Sequence, residues 1–333
     1  MDNDASLPLQ DPGEAFTPMG MKRSKAQTVG NRERSQAAAR AITSGMTATR
    51  EAVEHVAREH LPGAIADTWI TLLRPAARLV QANLGDPVVG QLGGLPELHE
   101  AAVWPHWSEH GPLTFVASLN CGQLASMGLD IPLPREGTLA FFYFDGQVDG
   151  GRSIVFYEDP ESSEGSRVLY IPPHAAVVPR PCPPGIKPYP RINLTAQPVA
   201  TYPNMQHRAL IEAFQRPGDD PRSFQDHPVN DDSFMEELWE LETGPAHQVG
   251  GYAYPVQGPI EDEVAQLTLG GKIAWTDPAL EREARTWTLL AAIDSDERTR
   301  MMWGDAGMLY WMVRPRDLET GDFDAASFTW QCH

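Results

Sequence analysis

The chain has 333 residues and a net charge of −19, with 41% apolar and 21% charged residues. That is long enough for one large domain or two ordinary ones, and the composition is that of a folded globular protein. Residues 1–50 carry seven Lys/Arg and five Asp/Glu, which leaves −21 on the rest. Such a charge opposes binding to nucleic acid or to anionic membranes and favours a basic partner.

Residues 1–33 are polar, with no hydrophobic period, and read as a disordered tail. From Ser35 to His60 the chain is rich in Ala, Arg and Glu, which predicts a helix that Pro62-Gly63 interrupts. A second helix is predicted over 64–83, where Ile65, Trp69, Leu72, Leu73, Ala76, Leu79 and Val80 form one apolar stripe. Residues 34–85 thus read as a helical N-terminal extension. The loop DPVVGQLGG at 86–94 lacks the spacing of a phosphate loop. Strands are predicted at 113–120, 138–144, 155–157 and 167–171. Residues 178–190 contain six prolines and read as an extended connector between halves at 86–178 and 191–333. An exposed loop at 215–233 and a short helix at 234–242 follow. The C-terminal part predicts strands at 287–293 and 308–313, a short helix within 314–323, and a last strand at 327–332.

Two parts of the chain echo each other. Leu113–Asn120 aligns with Trp287–Asp294, and Gly137–Phe144 with Gly307–Arg314. A Gly-Gly pair and a tryptophan precede each: Gly93-Gly94 with Trp104, and Gly270-Gly271 with Trp275. The expected fold is α+β, mainly an antiparallel sheet built from two similar, duplicated strand–loop–strand halves.

Several stretches resemble the YwqG-like family, a bacterial domain family of unknown function. They are Gly93-Gly94-Leu95-Pro96 through Trp104-Pro105, Leu113–Asn120, Gly137–Phe144, His247–Tyr252 and Pro255–Gly258. Leu289–Asp294, Trp303-Gly304-Asp305-Ala306-Gly307, Arg314–Phe323 and Gln331 complete the set, so the resemblance covers 86–333. It implies a cytoplasmic α+β domain and brings no catalytic residues with it.

No stretch names a reaction. Asp294, Asp296, Glu297 and Asp305 are close enough to hold a hard cation, but the spacing is not that of a calcium loop. Asp305, between two glycines, is expected to accept the backbone amides of its turn. His247 with Gln257, or His99 with Glu100, would suit acid–base chemistry, against the plainer reading of hydrogen-bonded histidines. Cys121, Cys182 and Cys332 are odd in number and show no zinc or disulfide spacing, and Cys121 reads as a buried inert thiol. Tryptophans 104, 107, 303, 311 and 330 read as core, with an aromatic groove as the alternative. Candidate cleft residues are Trp104, His106, Asn120, His247, Gln257, Asp294, Trp303 and Asp305. No metal or cofactor is expected. No membrane span or signal peptide is read, which makes cytoplasmic the expectation. Composition and motifs together lead to a binding or protein-interaction protein, with an immunity-type protein as one version, acting on a protein or small-molecule partner. A small-molecule hydrolase with its site between the halves is the alternative.

Overall fold

The computed structural model describes residues 48–333 apart from 217, 219 and 243. The tail expected at 1–33 and the start of the first helix lie outside the described residues. The architecture is α+β, organised around a ten-stranded antiparallel sheet. Its strands are β1 (Arg74–Gln81), β2 (Gly90–Leu92), β3 (Thr114–Asn120), β4 (Thr138–Tyr143) and β5 (Ser166–Ile171). They continue with β6 (Ile192–Thr201), β7 (Gln248–Val249), β8 (Thr288–Asp294), β9 (Met308–Val313) and β10 (Ser327–Gln331). Across the sheet the order is β10-β9-β8-β7-β1-β6-β2-β3-β4-β5.

Outward from the centre, β2-β3-β4-β5 on one side matches β7-β8-β9-β10 on the other. Both β3 and β8 shift register at their second or third residue, between Phe115 and Ala117 and between Leu289 and Ala291. The glycine pair equivalent to Gly93-Gly94 is Gly250-Gly251, not the Gly270-Gly271 pair the sequence alignment suggested. Each follows the short inner strand of its half in the left-handed region. Each is held by the glutamine of that strand. Gln91 Nε2 donates to Gly93 O (2.9 Å) and Leu95 O (3.1 Å), and Gln248 Nε2 to Gly250 O (2.8 Å) and Tyr252 O (2.9 Å). The central strands cross over: β1 pairs with β7 of the second half, and β6 with β2 of the first.

Apolar runs become strands buried on both faces. In β9, Leu309, Trp311 and Val313 enter the main core, while Met308, Tyr310 and Met312 face a second cluster with Ile260 and Val264. The sheet curls until its outer strands meet. Trp311 packs on Phe141 at 5.1 Å and donates to Ser166 Oγ at 2.9 Å, and Tyr143 lies 5.0 Å from Phe328.

Helices α1 (Arg50–His60), α2 (Gly63–Ile70), α3 (Cys121–Ala125), α4 (Arg208–Phe214), α5 (Pro221–Gln225), α6 (Asp232–Glu240), α7 (Ile260–Thr268), α8 (Pro278–Ala284) and α9 (Pro315–Thr320) surround it. Val53, Ala57, Trp69, Leu210, Phe234 and Leu238 pack on Ala76, Val199 and Ala200 of the central strands.

Three sequence expectations are corrected, and some elements were not foreseen. The helix expected over 64–83 stops at Ile70, and Arg74–Gln81 is a central strand. Residues 155–157 form no strand: the Val155 carbonyl instead accepts from Trp330 Nε1 at 2.8 Å. The loop expected at 215–233 contains α5 and a 3-10 turn, and it buries Phe224 and Val229. The strand β6 and the helices α4, α7 and α8 were not anticipated.

Candidate functional site

Two polar constellations stand out. The first is buried and is built on the strands β7 and β8. His247 precedes β7 and is fully buried. Its Nδ1 accepts the Asp294 N–H at 3.0 Å, so by hydrogen-bond geometry the ring proton sits on Nε2, 3.2 Å from Asp296 Oδ2. Arg298 closes the group with Nε at 2.9 Å from Asp296 Oδ1 and Nη2 at 2.6 Å from Oδ2. Burial alone would push the Asp296 carboxyl up, but the hydrogen bonds from His247 and Arg298 outweigh it and hold the group below the usual range. Asp294 is pushed up by burial, against the opposing Ala246 N–H at 2.8 Å. Both ring nitrogens of His247 are engaged, so the group acts as a clamp between β7 and the loop after β8.

Of the eight residues singled out from sequence, this network unites His247 and Asp294, with Asp296 joining from the acidic cluster. The others are dispersed. Trp104 packs edge-on against Phe142 and donates to Leu113 O. His106 is exposed, and Asn120 caps α3 through Gln123 N. Gln257 is exposed and donates to Cys332 O. Trp303 is buried against Tyr143 and Tyr189. Asp305 is exposed, and its carboxylate accepts no hydrogen bond from the described residues. One amide of that turn is instead bound by Ser295, whose Oγ accepts the Trp303 N–H at 2.9 Å and donates to Gly307 O at 2.8 Å. Cys121 is buried, and burial pushes its thiol up to about 12, as befits an inert cysteine. Among the described residues no three His, Cys, Asp or Glu converge as metal ligands would.

The second constellation is an open cleft of about 240 Å3 between the start of β1, α4, the N-terminus of α7 and the end of α8. None of the eight residues lines it. Its lining is charged: Arg74, Arg208 and Arg285 meet Glu212, Glu261 and Asp262, with His207 and Trp287 beside them. Most of these charges are paired. Arg208 bonds Asp262, Arg285 bonds Glu212 and Glu281, and His207 Nε2 lies 3.7 Å from Glu261. Burial raises Asp262 despite the Arg208 guanidinium. Burial also opposes ionisation of Glu261, but the His207 contact prevails and lowers it. Arg74 differs from the other guanidinium groups. Its Cζ lies 4.3 Å above the Tyr252 ring, and its nearest carboxylate, Asp130, is 3.9 Å away and tied to the Gly251 N–H. The only sequence signals for this cleft were general: Pro259 with three acidic residues opening a helix. No local motif joins residues 74, 208, 262 and 285.

The described residues contain no helix long and apolar enough to cross a membrane. A comparison with curated proteins finds no match. A family model described as a domain of unknown function, DUF1963, matches residues 90–332, from the first residue of β2 past the end of β10. The chain therefore belongs to the DUF1963 family.

Proposed function

We propose that this protein acts by binding, and that the charged cleft receives a small ligand bearing a carboxylate or phosphate. The observation that carries the reading is Arg74. It is the cleft cation that stacks on an aromatic ring without a hydrogen-bonded carboxylate, while the neighbouring acids are neutralised by their own cations. A guanidinium positioned over a ring is suited to bidentate recognition of an oxyanion. Titration calorimetry against small carboxylates, phosphates and amino acids tests it. At least one class should bind, and Arg74→Ala should weaken it tenfold or more with the melting temperature unchanged. Silence across the panel, or binding indifferent to Arg74→Ala, would remove the reading.

A hydrolase is the second reading, favoured by one observation. Glu261 and Asp262 both line the cleft, and burial raises the Asp262 carboxyl while the His207 contact lowers that of Glu261, a separation that acid–base chemistry can use. Turnover of ester or amide substrates that Asp262→Asn abolishes would establish it.

At the family level, the YwqG-like assignment is supported by motifs lying within the matched 90–332. Reading 86–178 and 191–333 as copies of one duplicated unit is supported by the matched strand order, the paired bulges and the Gln91/Gln248 hydrogen bonds. The immunity-type version, with a basic protein as partner, is supported by the −21 carried by residues 51–333. The free cysteines accord with a reducing bacterial cytoplasm.

A further inference from the structure

A second surface shares no residue with the cleft lining. Ile154, Phe156 and Trp275 are 54%, 47% and 53% exposed. Phe156 and Trp275 flank one tyrosine and form a patch: the Phe156 ring is 4.9 Å from Tyr157, which is 6.0 Å from Trp275. The segment carrying Phe156 comes from the loop after β4, and Trp275 from the loop between α7 and α8. The two loops lie closely against each other, since a Cβ on Gly271 would stand 2.1 Å from Glu158 O.

The backbone under the patch is fixed. The fully buried Ser162 accepts the Phe156 N–H at 2.9 Å and reaches Phe156 O at 2.9 Å and Asp159 O at 2.7 Å. The Val155 carbonyl is bound by Trp330. Large aromatic side chains standing in water on a rigid support are the usual centre of a protein interface.

The rim supplies the sign of the partner. Glu158, Asp159 and Glu161 are exposed beside Phe156, and Asp277 follows Trp275. Lys272 is the one base in 154–164 and 270–277, against Glu158, Asp159, Glu161, Glu164 and Asp277. A second copy of this chain would bring the same acidic rim against itself, on a molecule already at −19. We infer that the patch docks a basic protein segment, with apolar side chains covering Phe156, Tyr157 and Trp275 and cations meeting the acidic rim. The inference rests on the binding reading above but not on the cleft.

The test uses the full chain and a peptide alternating arginine and leucine, with a glutamate-for-arginine peptide as control. Binding is read by calorimetry at low and moderate salt, and amide exchange locates it. The arginine peptide should bind, protect 154–164 and 270–277, and weaken with salt. Phe156→Ser with Trp275→Ser should weaken it at least tenfold, as should Glu158→Lys with Glu161→Lys. These side chains are exposed, so the melting temperature should not move. Equal binding by wild type and both variants, or protection elsewhere, would overturn the inference. So would concentration-dependent dimerisation of the wild type that Phe156→Ser with Trp275→Ser abolishes, because the occupant would then be a second copy. Titrating the panel of small carboxylates, phosphates and amino acids into the same variants separates this failure from failure of the cleft.

Discussion

Glu263 shows how one buried carboxyl couples this fold to pH. It lies beneath β10, where Thr329 Oγ1 donates to one oxygen at 2.6 Å and Gln331 Nε2 to the other at 2.7 Å. Burial nevertheless pushes it up from 4.5 to about 7. Between those values the folded chain holds a proton that the unfolded chain releases. The contribution of this group is therefore fully present below about pH 4.5 and is lost as pH rises through about 7, at roughly 1.4 kcal/mol per unit at most. In Glu263→Gln the Thr329 hydroxyl can turn to accept, and the slope should vanish. Urea melts at pH 5 and pH 8 should show the variant gaining on wild type by roughly 2 kcal/mol at the higher pH. An equal difference at both would contradict the assignment. The turn around Trp303 gives a second contrast. Ser295→Ala leaves the Trp303 N–H without its acceptor and should cost about 1–3 kcal/mol. Asp305→Ala, at an exposed side chain, should stay within about 0.5 kcal/mol. The same denaturation curves decide both.

At the scale of elements, β1 is the part of the chain whose sequence pattern misleads. Its alanines and leucine at helical spacing continue the stripe of α2, and Pro75 speaks against a central strand. The strand is tolerated because of where the proline nitrogen points. Leu79 donates its N–H to His247 O on the β7 side, and Pro75 shares that parity, but β7 pairs only at Ala77 and Arg78 and has ended there. Pro198 in β6 follows the same rule. Leu194 and Ala200 turn their backbone groups away from β1, as Pro198 does, and β2 reaches only residues 192–194. Both strands therefore lack a donor only where no acceptor waits. Leu79 is fully buried in the main core, so Leu79→Ala should cost about 2–5 kcal/mol in a chemical melt. A loss below about 1 kcal/mol would mean that the central strand contributes little to the core.

For the whole molecule, the matched family range begins at residue 90, after β1 has ended at Gln81. Yet β1 pairs along its full length with β6 and also with β7, bridging the two halves of the sheet. A chain starting at residue 86 would leave β6 and β7 with unpaired inner edges. It should show no cooperative unfolding transition, whereas the full chain should show one. Circular dichroism melts of the two chains make the comparison. A folded chain from residue 86 would show that the halves need no bridge.

What the sequence determined by itself is what short-range pattern encodes. The runs Thr288–Asp294, Met308–Val313, Thr114–Asn120 and Thr138–Tyr143 announce strands because nearly every residue is apolar, and the α+β class follows from them. The echo between the strand pairs was visible for the same reason. Which glycine pair corresponds to Gly93-Gly94 was not, because the answer lies in two glutamine side chains reaching along their own loops. Proximity in sequence did suggest that Asp294 and Asp296 belong together, but only the pairing of β7 with β8 brings His247 to them. Beyond the start of one of its helices, the cleft was not legible. Arg74, Arg208, Asp262 and Arg285 meet there only because β1 and three helices separated in sequence converge, and a charge on a helix surface looks the same in sequence whether it faces water or a ligand.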